Sequence, residues 1–176
     1  MPREFELIMS VPVPSRSGIT HLYKSMDLAD AFAIRLPAGT STNPDLLARF
    51  ILSHQPSWIG WLMKVRDTIV ACFGLKTAKH LASLANRIGV FKVYSTKKTE
   101  IVMGEDDKHL DFRISILCSG EAEPEGSRQL VFSTVVQCHN RLGRAYIFVI
   151  APFHRLVVKA SLLRAARVGW PLATCT

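Results

Sequence analysis

No two cysteines in this chain stand close enough to clasp a metal or to suggest a dense disulfide framework. The four lie at 72, 118, 138 and 175, with no C-x-x-C among them. Cys72, Cys118 and Cys138 sit inside apolar runs, where a free thiol acts as a small buried hydrophobe. Long apolar runs are missing too. The longest, residues 145–152 (AYIFVIAP), is strand-sized, so no transmembrane segment is expected. The opening MPREFELIMS lacks the apolar stretch of a secretory signal, and the expected location is cytoplasmic. Acidic side chains are the scarcer charge, 14 against 22 Lys and Arg, giving a net charge of +8. That surplus is scattered and not interleaved with aromatics, so no nucleic-acid partner is expected. Its two mild clusters, Lys76/Lys79/His80/Arg87 and Arg155/Lys159/Arg164/Arg167, read as solvated faces.

What the chain does have is apolar content, 48% of residues, enough for a core at a length that favours one domain. Residues 1–27, rich in Pro, Ser and Gly, read as an extended arm. Residues 28–170 read as the domain, and 171–176 as a tail. The first strand is expected over 30–37 (DAFAIRLP). Asn43 as N-cap, Pro44 at the first helical position and Asp45 in the first turn then predict a helix to about His54. A second helix is expected from Ser57 to Phe73, its stripe formed by Trp58, Trp61, Leu62, Val65, Ile69, Cys72 and Phe73. From Val90 the period becomes two. FKVYS, TEIVM, HLDFRISIL, QLVFSTVVQ and RAYIFVIA read as five successive strands.

A turn at 105–108, with Asp106 and Asp107 as its central pair, would set Met103 opposite Leu110 and Glu100 opposite Arg113. Ile101, Met103, Leu110, Phe112 and Ile114 then share an apolar face. Glu100, His109, Asp111 and Arg113 share a polar one, with Glu100 and Arg113 as a cross-strand ion pair. A further hairpin is expected at Leu142 and Gly143, and a final amphipathic helix from Pro152 to Gly169. The fold class is α+β: a curved antiparallel sheet wrapped around a long C-terminal helix, with two helices after the first strand.

That order is similar to the helix-grip architecture of the START and Bet v 1 superfamily. The segments DLADAFAIRLP, PSWIGWLMKVRDTIVACFGLKT, GEDDKHLDFR and HNRLGRAYIFVIAPFHRLVV, in this order, resemble a bacterial family catalogued as domain of unknown function 2867. Some relatives resemble the C-terminal half of proteins with a nucleotide-binding reductase ahead of it. This chain carries no G-x-G-x-x-G to match, and no cofactor is expected.

The resemblance implies a fold and, through the fold, a pocket for a small apolar or amphipathic ligand between sheet and helix. Trp61, Met103, Phe112 and Ile147 are the expected walls, and Arg113, His139 and Tyr146 would orient a polar end of the ligand. An enzyme of the cyclase or hydrolase kind is the alternative, with His109, Asp111 or His154 as the base. His154, expected in the first turn of the last helix, would be held neutral by the helix dipole there. It has no second ligand at i+3 or i+4, so no metal is expected. A third reading is an interaction module or homodimer using the polar sheet face. Nucleophilic catalysis falls: there is no G-x-S-x-G, and Cys138 and His139 are strand neighbours that point to opposite faces.

Overall fold

A computed structural model of the chain describes residues 8–61, 64, 87–118 and 128–173. Seven strands, β1 (Ile8–Val11), β2 (Leu28–Arg35), β3 (Arg87–Ile88), β4 (Phe91–Thr96), β5 (Glu100–Asp106), β6 (Leu110–Cys118) and β7 (Gln129–Cys138), form one antiparallel sheet. Its order is β1-β2-β7-β6-β5-β4-β3. Helices α1 (Pro44–Ser53) and α2 (Arg141–Val168) lie on one side. This is an α+β architecture with a long C-terminal helix.

Alternation decides the two faces. Phe32, Phe132, Ile116 and Ile101 stand in register across β2, β7, β6 and β5. They bury with Met103, Ile114 and the Val158, Leu162 and Leu163 of α2. The α1 helix starts as expected: Asn43 accepts from the backbone N–H groups of Asp45 and Leu46, and Pro44 opens the first turn. Its Leu47, Ala48 and Ile51 enter the same core.

Residues 57–61 begin a helical turn, but it buries Ile59 and leaves Trp58 and Trp61 exposed, against the expected stripe. The rest of that stripe falls outside the described residues. Past α2, Gly169 caps the helix at φ 96°, Trp170 enters the core, and Pro171 O accepts from Ser41 N.

The largest correction concerns residues 141–151. RAYIFVIA is not a strand, there is no hairpin at Leu142–Gly143, and Pro152 does not start the helix. Asn140 does: its side chain accepts from Gly143 N, and α2 runs unbroken through Pro152. Ile147 faces the sheet while Phe148 and Val149 face outward, so the run is apolar on two sides and its 3.6-residue period is hidden.

The second correction is register. β5 and β6 pair Met103 with Ile114 and Glu100 with Leu117, so the central turn residues are Lys108 and His109. Glu100 and Arg113 therefore form no ion pair. The faces survive because the register differs by an even number of residues. The observed pairing puts Arg113 opposite Gly104, where a Cβ would meet Phe112 O at 2.1 Å and the Arg113 side chain at 3.0 Å. Only glycine lets the β6 backbone come this close, since the nearest atom is a main-chain oxygen that cannot step aside.

The polar face is covered by the N-terminal arm. Ile19, Val13, Tyr23 and Met26 pack on Val102, Val135 and Tyr94, while Val11 and Val13 close over Ala31, Ala33 and Val131. A register irregularity between Val93 and Ser95 brings Tyr94 to this side.

Candidate functional site

Beneath the arm, Glu100 is 3% exposed. It accepts from Ser17 Oγ (2.6 Å), Ser115 Oγ (2.6 Å) and Gly18 N (3.0 Å). Next to it, Arg113 is 8% exposed and fully engaged. It donates to Phe112 O (2.8 Å), pairs with Asp106 (2.7 Å) and lies 3.7 Å over the Tyr94 ring, whose hydroxyl donates to Asp106. Burial alone would raise the Asp106 carboxyl pKa, but hydrogen bonds from Tyr94 and Arg113 and the charges of Arg113 and Lys92 hold it below the usual carboxylate range. Burial pushes the Tyr23 hydroxyl up to about 12. Glu100 joins arm to sheet, while Arg113 spends its donors inside the sheet on Phe112 O, Glu105 O and Asp106. Arg113 thus lies away from α2 and has no donor turned toward a ligand between sheet and helix.

At the end of β6 and β7, Asp111 and His139 come together at 3.1 Å, both partly exposed. Asp111 also accepts from Asp107 N. His109 is not part of this pair. Its Nδ1 faces Asn140 Nδ2 at 2.9 Å, and its Nε2 is buried without a hydrogen-bond partner. Because Asn140 Oδ1 already accepts from Gly143 N, its amide donates to His109 Nδ1, and the neutral ring carries its proton on Nε2. Tyr146 packs on the small cluster of Leu28, Leu110, Val136, Cys138 and Ile147. Of the expected polar group Arg113, His139 and Tyr146, no two are brought onto a common ligand space.

His154 lies deep inside α2, so the first-turn dipole argument does not apply to it. Its Nε2 is 3.1 Å from Thr134 Oγ1 and 3.6 Å from Asp30 Oδ1, and Asp30 also pairs with Arg155 at 3.3 Å. The arrangement has the composition of a nucleophile, a base and an acid, but Thr134 is 3% exposed and out of a substrate's reach. It is a polar link between β2, β7 and α2, in which Asp30 Oδ1 is buried without a hydrogen-bond partner. Met103 is fully buried in the main core, Phe112 is half-buried between the two apolar clusters, and Trp61 is 64% exposed.

A groove of about 630 Å³ opens elsewhere, between the turn after α1 and the C-terminal half of α2. Gln55, Pro56, Ser57 and Trp58 line one wall; Ala160, Leu163, Arg164 and Arg167 line the other. The turn exists because Pro56 cannot continue α1, and Ile59 N closes it by donating to Pro56 O. Sequence reasoning read the two arginines as a solvated face. The signal it could have used is that Pro56 must fold residues 55–58 back over a neighbour.

Among the described residues no group of three or more His, Cys, Asp or Glu could hold a metal. The Cys118 and Cys138 thiols are both pushed up to about 11, chiefly by burial. In a variant with Cys72 and Cys175 replaced by serine, both thiols are expected to ignore Ellman's reagent at neutral pH. They should react only on unfolding. Rapid colour from the native variant would show that either site opens to solvent.

No curated protein and no solved structure matches the chain. One family profile does, over residues 22–161, a span that runs from the arm through β7 and most of α2. The chain therefore belongs to the family described as "Protein of unknown function (DUF2867)".

Proposed function

We propose that the protein is a START-like binding domain for a small amphipathic molecule carrying an anionic end, and not an enzyme. The ligand lies in the groove beside α2. Its apolar part rests on Pro56, Trp58 and Leu163, and its anionic end meets Arg164 and Arg167. The observation that carries this reading is the groove: about 630 Å³ falls in the range of small-molecule sites, and its lining combines an indole and aliphatic side chains with two cations. Support also comes from the sheet and long C-terminal helix, the arrangement that helix-grip domains use. Two buried free thiols fit a reducing bacterial cytoplasm. The enzyme reading is weaker because His109, Asp111 and His154 do not line this groove. The interaction reading is weaker because the polar sheet face is under the arm.

Dodecanoate, titrated calorimetrically into the protein, is the probe. One site is expected, and Arg164→Glu should weaken it by on the order of tenfold, the loss of a charge-assisted contact. Equal affinity in Arg164→Glu and Trp58→Ala, or no saturable heat with the parent protein, would remove the groove as the binding site.

A further inference from the structure

The N-terminal half of α2 has a second apolar face that the fold does not use. Ile147, Val158 and Leu162 point to the sheet. Leu142, Val149, Phe153 and Leu156 follow one another at spacings of seven, four and three on the opposite side. All four are exposed, and Phe148 beside them is 85% exposed. An apolar strip of this extent on a helix marks a docking surface. By length and composition α2 would pass for a membrane-crossing helix, and most of its apolar stretch is uncovered by the rest of the protein. Its other side is fastened to the sheet, which rules out crossing and leaves lying flat.

Charge decides what covers the strip. Arg141, Arg144, Arg155, Lys159, Arg164 and Arg167 are the ionised side chains of α2, which contains no Asp or Glu. Arg141, Arg144 and Arg155 run along one border of the apolar strip, while the Lys159 ammonium lies 5.2 Å over the Phe32 ring of the sheet. Arg144 and Arg155 touch Asp27 and Asp30 and still keep more than half of their side chains exposed. A second copy would bring a like-charged border against this one, with no acid on α2 to answer it, on a chain already at +8. A surface with an apolar interior and anionic headgroups answers both features.

We propose that the outward face of α2 lies in the interface of an anionic lipid bilayer, with Phe148, Val149, Phe153 and Leu156 among the acyl chains and Arg141, Arg144 and Arg155 at the phosphates. This surface is separate from the groove, and it stands or falls without it.

The test is flotation of the full chain with vesicles of phosphatidylcholine alone and of phosphatidylcholine mixed with phosphatidylglycerol. Binding is expected only to the mixed vesicles, and it should weaken as salt is raised. Phe148→Asp should reduce vesicle partitioning by on the order of tenfold or more while leaving the thermal midpoint and dodecanoate binding unchanged. Phe148→Trp should keep binding and shift its emission to the blue when mixed vesicles are added. Three results overturn the proposal: no binding to the mixed vesicles, binding that Phe148→Asp does not change, or a dimer in native mass spectrometry that Phe148→Asp splits. The last would assign the face to a second copy.

Discussion

Replacing Glu100 with alanine is expected to lower the unfolding free energy by about 3 kcal/mol and to release the N-terminal arm from the sheet. Three donors converge on this one carboxylate: two serine hydroxyls and the Gly18 amide. Hydrogen bonds to a buried charge contribute roughly 1.5–3 kcal/mol each, and removing the acceptor leaves all three donors where water is scarce. The sum is reduced because the charge's own desolvation cost disappears, and because Ser17 and Ser115, 3.1 Å apart, can pair with each other. The effect is local as well as global. Hydrogen exchange at Gly18, Ile19 and Thr20 should accelerate much more than at β6 and β7 in Glu100→Ala. A urea midpoint within error of the parent, with the arm amides still protected, would mean that Ile19 and Tyr23 hold the arm by apolar packing alone.

Gly143→Ala should cost about 2–4 kcal/mol, an effect of overpacking against backbone. A Cβ there would stand 2.3 Å from the His109 carbonyl oxygen and 3.4 Å from Cys138 Cβ. Neither is the far end of a flexible side chain that can step aside. The carbonyl belongs to the β5–β6 turn and already accepts from His139 N. The first turn of α2 must therefore shift, which strains the Asn140 cap and its bond to His109. Urea unfolding measures the loss. Asn140→Ala should reproduce part of it, about 1 kcal/mol for the cap. If Gly143→Ala unfolds at the parent's urea concentration, α2 does not begin against the β5–β6 turn.

How much of this was legible beforehand depends on which signals were local. The α1 start was legible because Asn43, Pro44 and Asp45 each act within one turn of themselves. The faces of β5, β6 and β7 were legible because alternation alone assigns them. The register was not: alternation is blind to an even displacement, and the close approach of Phe112 O to Gly104 exists only once the strands are paired. The first half of α2 was misread because Ile147, Val149 and Ile150 are β-branched and apolar residues face two ways. The cue to the contrary was Asn140, three residues ahead of Gly143. Candidate sites fared worse. Glu100 and Arg113 looked available because nothing in their own strands shows that residues 13–26 return to cover them. The groove joins residues 55–58 to 160–167, a proximity that only the packing of α1 on α2 creates.

The place of β2 in the sheet also dictates the order in which the chain can assemble. β2 sits between β1 and β7, and its near end is sealed by Asp27 accepting from Cys138 N, residues 111 apart in sequence. Closing so long a loop is slow and entropically costly compared with the hairpins that join β4, β5 and β6. On a ribosome, β1 and β2 emerge before β3 to β7, and they cannot join the rest of the sheet until β7 has left the tunnel. Through most of synthesis Phe32, Ile34 and their neighbours have only β1 to pair with and lack β7 on their other edge. The docking of β1 and β2 thus waits on a strand synthesised long after them.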